Sequence, residues 1–302
     1  MINLSTSAFY ERATRQVGTL RAEAEKLQEQ MGTGERLSRS SDDPVAAARL
    51  RTLARGERLA QIDQRSSDLA STDLKMTDDA LGSLATLVIR AKELATKAAT
   101  ETLSAEQRAA IGGEVESLRQ AVLQIANSRN SAGHALFGGQ AAGAAYQESG
   151  GAAAYVGTAA KDAVDLGDGQ SVVPSLTGPE VFTFEAGGVP TDLFAVLGDL
   201  ATALKGGGDP TGPTGVALDG LAAGLDSITT AQTVVGARLG WIEVMDERRV
   251  ANSELVADEQ KAIGGADLAV TMTRLQEVTT VLEASQASFV RLAGLSLFDM
   301  MR

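Results

Sequence analysis

The sequence predicts a mainly α protein: an elongated rod of long antiparallel helices, coiled-coil helices at both termini, and a small β-rich insert domain. Three observations predict it. Apart from Pro44, every proline lies at 174, 179, 190, 210 or 213, so both flanks lack the residue that breaks helices. Apolar residues in those flanks recur at alternating steps of three and four, which keeps them on one seam of a helix. Glycine concentrates in the middle, with 18 of 32 between Gly133 and Gly215, a density of turns that suits short strands.

Residues 1–34 form the first helix, with Tyr10, Ala13, Val17, Leu20, Ala24, Leu27 and Met31 on one seam until Gly32 and Gly34 end it. The chain then turns through Ser40, Ser41, Asp42, Asp43 and Pro44. Asp43 suits the cap of the next helix, and Pro44 suits its first position because the missing N–H has no intrahelical partner there. Asp42 and Asp43 could also be read as a catalytic carboxylate pair, but neighbouring acids before a helix-starting proline are better explained by the positive end of the helix dipole.

Residues 35–132 and 214–263 supply the rod. Ala80, Leu84, Leu87, Ala91, Leu94 and Ala98 repeat the seam, and Ser104 with Gln107 has the form of a capping box ahead of Ile111, Val115, Leu118, Val122 and Ile125. Leu218 to Ile242 alternates in the same way; if continuous, the helix from Leu218 to Ile263 would reach about 70 Å. Residues 133–213 form the insert, where Val181-Phe182-Thr183-Phe184 reads as a short strand. After Gly264 and Gly265, residues 264–302 form the last helix, with Leu275, Val278, Leu282, Ser285, Phe289, Leu292 and Ser296 on its seam.

Composition excludes several functions. Net charge is −12, and no basic stripe of the kind that neutralises phosphate backbones stands out, which argues against nucleic acid. The absence of Cys removes thiol nucleophiles and thiolate metal sites, and His134 has no second imidazole to join it. Gly206-Gly207-Gly208 lacks the strand and lysine context of a phosphate loop. No catalytic, metal or cofactor residues are therefore expected, and no secretion signal or membrane span is visible. A hydrolase using two converging carboxylates of the insert is the enzyme alternative. The terminal seams carry too little core to order alone, so they are expected to pack against copies of this or related chains.

The stretches LQEQMGTGERLSRSSDDPVAAARL (27–50), ALFGGQ (135–140), DLFAVLGDLATALKGGG (192–208), VGARLGWIE (235–243) and LSLFDMMR (295–302) resemble the bacterial flagellin superfamily. SSDDP and LSLF point to its hook–filament junction branch rather than to filament flagellin, which is the closest alternative; a soluble coiled-coil adaptor is more remote. The resemblance implies a structural protein, not an enzyme. It would be exported through the flagellar type III channel and assembled outside the cell as a ring of copies, between a neighbouring hook-associated protein and flagellin, after release from an export chaperone. Carried over by position, the assembly residues are Tyr10, Val17, Leu20, Leu27, Met31, Leu275, Val278, Leu282, Phe289, Leu292, Leu295, Leu297 and Phe298. Ser40 to Pro44 form the bend and cap. Neither nucleic acid nor membrane is an implied partner.

Overall fold

The computed structural model describes residues 3–99, 103–209 and 211–300, with side chains described for Ala8, from Glu11 to Ala99, and thereafter only as far as Arg291. In chain order the elements are α1 (Asn3–Thr33), α2 (Pro44–Ala98), α3 (Ala105–Ala126), β1 (Tyr146–Ser149), β2 (Ala152–Tyr155), β3 (Val164–Gly167), β4 (Gln170–Val172), α4 (Gly178–Phe182), β5 (Thr183–Ala186), β6 (Val189–Asp192), α5 (Leu193–Lys205), α6 (Thr211–Gly264) and α7 (Leu268–Met300). The fold is mainly α, and its strands form three separate antiparallel hairpins, β1-β2, β3-β4 and β5-β6. No described helix is long and apolar enough to cross a membrane.

The chain divides into two compact units, Met1–Arg58 with Ala251–Arg302, and Leu59–Val250. The second unit holds the main core. There the seams of α2, α3 and α6 lose nearly all solvent: Leu84, Val88, Ala91, Val115, Val122, Leu221, Ile228 and Val235 are fully buried. α3 packs along α5, and Leu197, Leu200 and Leu204 of α5 are buried with them. Ser104 begins α3 with a complete capping box, its Oγ accepting from the Gln107 amide and the Gln107 side chain accepting from the Ser104 amide.

Four of the few aromatic residues gather where the insert meets this core. Phe182 and Phe194 stack at 5.2 Å, and Tyr146 stands edge-on to Phe182 at 5.4 Å. Phe137 completes the cluster 5.5 Å from Phe182. Burial pushes the Tyr146 hydroxyl far above its ordinary pKa. The ALFGGQ turn is explained here: Phe137 fills the cluster, while Gly139 has φ +66° and lies so near the Ala159 carbonyl that a Cβ would stand 2.1 Å from its oxygen.

The expected strand over 181–184 is half right. Val181 and Phe182 end the short helix α4, and β5 begins at Thr183. Pro179 in the first turn, together with Thr177 and Glu180 as a capping box, favours helix locally over the β propensity of Val-Phe. The insert is also not β to its end, because Asp192 caps the 13-residue α5 through the Ala195 amide at 2.9 Å.

Candidate assembly surfaces

In the first unit α1 and α7 pack along one another. Between Glu11 and Gln30 the side chains of α1 that lose solvent are Ala13, Val17, Leu20, Glu23, Ala24, Leu27 and Gln30, while the rest of that span is exposed. On α7 they are Thr271, Leu275, Val278, Thr279, Leu282, Ser285, Gln286 and Phe289. Alternating steps of three and four thus turn one face of each helix toward a partner. Arg274 Nη2 reaches Glu23 Oε1 across the pair at 3.2 Å.

The burial is shallow. Only Ala24, Thr271 and Val278 are buried, Leu20 and Leu282 stay half-exposed, and Met31 is exposed. Two helices cover only one side of each other, so a seam that would be dry in a bundle remains partly wet. The side chains of Tyr10, Leu292, Leu295, Leu297 and Phe298 lie outside the described residues.

The two linkers beside this pair are tied together. Gly34 takes φ +71° after the last turn of α1, and its carbonyl accepts from the Ala266 amide at 2.8 Å. The Arg36 amide donates to the Gly264 carbonyl at 2.7 Å, and Arg36 Nη2 donates to the Ile263 carbonyl at 2.9 Å and to Asp43 Oδ2 at 3.4 Å. Asp43 Oδ1 accepts from the Ala46 amide at 3.0 Å, with Pro44 as the first helical residue. This amide bond, aided by the Arg36 guanidinium, holds the Asp43 carboxyl below its ordinary pKa. Desolvation pushes Asp42 up, but the Lys26 ammonium at 3.3 Å, the Arg39 amide and the Ser38 hydroxyl together outweigh it, and its carboxyl is also lowered. Ser40 and Ser41 are exposed in the turn.

Sequence reasoning missed Arg36. Its partner is 227 residues away, and an arginine in a polar linker carries no periodicity to mark it. The Arg49 fork on Glu259, at 2.6 and 2.9 Å, is equally illegible and joins the start of α2 to the end of α6. It holds the Glu259 carboxyl below its ordinary value.

Among the described residues no three His, Cys, Asp or Glu side chains converge as metal ligands. His134 is exposed in its turn. Two open grooves lie in the second unit, one lined by Ile89, Lys92, Glu93, Thr96, Lys97 and Leu225, the other by Ser117, Gln120, Ala121, Leu123, Gln124 and Asn127. Neither brings two carboxylates together, which is what acid–base hydrolysis would need.

Comparison with known proteins gives these surfaces a context. Residues 4–142 match the bacterial flagellin N-terminal helical region. The chain is 27% identical over 324 residues to flagellar hook-associated protein 3 of Escherichia coli (strain K12), covering 99% of each. It is 31% identical over 130 residues to the flagellar filament 41 kDa core protein of Borreliella burgdorferi, covering 42% of this chain and 37% of that one. In fold it is similar to the flagellar junction protein FlgL from Legionella pneumophila, with TM-score 0.63, 14% identity, and coverage of 72% of this chain and 100% of that one.

Proposed function

We propose that this chain, similar along its length to a flagellar hook-associated protein and in its first half to the flagellins, is a structural subunit of the bacterial flagellum that forms the junction between hook and filament. The observation that carries the reading is the contrast in coverage: 99% of each chain for the hook-associated relative against 42% and 37% for the filament protein. Residues 1–34 and 264–302 act as assembly helices, 35–132 and 214–263 as the helical body, and 133–213 as an outward insert. Half-covered seams on α1 and α7 support this division, because copies packed around the pair would remove the remaining apolar surface from water. Copies in a ring, a neighbouring hook-associated protein, flagellin and an export chaperone are the partners of this reading, and the extracellular flagellum is its location.

Filament flagellin is the second reading, favoured by the match of residues 4–142 to the flagellin helical region. Immunogold labelling of isolated hook–basal bodies separates the two. A narrow band at the distal end of the hook is expected, whereas label along the filament would establish the second reading instead. Deletion of Leu295 to Arg302 is expected to leave helix content nearly unchanged by circular dichroism and to abolish motility when the shortened chain replaces the full one. Normal swimming by that strain would remove the C-terminus from the assembly role.

A further inference from the structure

The start of α2 and the end of α6, both in the first unit, are joined by the Arg49 fork on Glu259 and by a hydrogen bond from Gln260 Nε2 to Glu57 Oε2 at 3.3 Å. Their outer faces carry opposite charge. At 100° per residue, Arg51, Arg55 and Arg58 fall within about 40° of the point opposite buried Leu53. Glu254 and Asp258 fall within about 20° of the point opposite half-buried Val256. All five side chains are exposed. Arg58 Nε is satisfied only by the Ala54 carbonyl of its own helix at 3.1 Å. Arg51, Arg55, Glu254 and Asp258 make no side-chain hydrogen bond or ion pair with any described residue. One side of this helix pair is therefore basic and the other acidic apart from Lys261, exposed about 40° from the outward point of α6, and neither side pairs its charges with another described residue. In the second unit Arg65 on α2, and Glu243 and Glu247 on α6, are also exposed and unpaired among the described residues.

We propose that these two faces are a head-to-tail interface between copies of this chain, the basic face of α2 in one copy meeting the acidic face of α6 in the next. The inference rests on the reading above of a subunit that assembles with copies of itself, but it assigns contacts to a surface other than the terminal seams. Complementary patches on opposite sides of one molecule make a heterologous contact, which closes into a ring or climbs as a helix and cannot stop at a two-fold dimer. Neighbours related by rotation about an axis parallel to these helices share a direction, so α2 of one meets α6 of the next antiparallel, as the two helices already run within the chain. The four-residue step from Arg51 to Arg55 matches that from Glu254 to Asp258, so one antiparallel register pairs Arg51 with Asp258 and Arg55 with Glu254. That register lies one residue from that of the Arg49–Glu259 pair and eight from that of the Glu57–Gln260 bond inside the chain. The charges set partner and register, while exposed ion pairs add little affinity and weaken with salt.

The chain has no Cys, so introduced thiols report this contact alone. Exposed Ala48 and Lys261 match in the same register, each within about 40° of the outward point of its helix, and face different neighbours. The full chain carrying Ala48→Cys and Lys261→Cys is expected to give, with a short thiol-specific crosslinker, a ladder of linked oligomers at low ionic strength. Arg51→Glu with Arg55→Glu, or Glu254→Arg with Asp258→Arg, should each cut the ladder about tenfold through like-charge contact. All four reversals in one chain should restore it to within about twofold, since each contact is again complementary. Circular dichroism confirms that each variant is folded. No ladder in the starting protein, or a ladder indifferent to single reversal, overturns the proposal, as does failure of the fourfold reversal to rescue a folded chain. The immunogold band is scored separately, so a junction label without the ladder rejects this interface and leaves the junction reading standing.

Discussion

The terminal helix pair and the core of the second unit are written with the same signal, apolar residues at alternating steps of three and four, yet they bury it to different depths. Leu84, Leu221, Ile228 and Val235 in the core are fully buried, whereas on α1 and α7 the matching positions Leu20, Leu27, Leu275 and Leu282 remain half-exposed. Periodicity specifies which side of a helix meets a partner, and the number of partners sets how dry that side becomes. A core built by several helices closes over its seam; a pair leaves its flanks open. On the terminal pair a further partner would still remove apolar surface from water.

This difference can be broken by mutation. Leu221→Ala in the core should cost about 3 kcal/mol, since a fully buried leucine leaves a cavity that the surrounding helices cannot fill. Chemical denaturation measures it, and a cost under about 1 kcal/mol would show that the core is no better packed than the termini. Next in size is the helix start that braces this core. Ser104→Ala removes one half of a reciprocal cap and should cost about 1 kcal/mol in the same experiment, with the loss recovered by Ser104→Asp.

The smallest expected effect is electrostatic and confined to the second unit. Arg119, almost wholly buried as a side chain, pairs with Glu116 at 2.8 Å and also with Glu148, which fastens the β1-β2 hairpin to α3. Its hydrogen bonds hold both carboxyls below their ordinary pKa. Groups whose folded pKa is depressed stabilise the fold above their unfolded value, near 4.5, and lose that contribution as pH falls through the lowered folded value. Thermal unfolding followed from pH 6 downward should therefore show stability falling below about pH 4.5. Arg119→Met should flatten that part of the profile. An unchanged profile would mean that the pair holds the hairpin by geometry alone.

Much of the fold was legible because long helices advertise themselves twice, through missing prolines and through a seam that repeats for many turns. The caps at Ser104 and Asp43 were legible too, as they need only neighbours in sequence. Val181-Phe182 was misread because β propensity is weak beside a proline and a capping box, and a four-residue window carries no period. The terminal seams were legible as faces but not as contacts. The Arg36 and Arg49 ties, and the opposed charges at Arg51, Arg55, Glu254 and Asp258, depend on which helices lie together after the chain has reversed direction, and no local pattern holds that information.

By itself the sequence determined that this protein is mainly helical, that its ends are apolar seams and its middle a glycine-rich insert, because each follows from local propensity and periodicity. Tertiary structure alone decided how deeply each seam is buried, which linkers are tied together, and that Arg51 and Arg55 on α2 face away from Glu254 and Asp258 on α6. Burial and charge complementarity belong to surfaces, and a surface exists only once distant segments have packed.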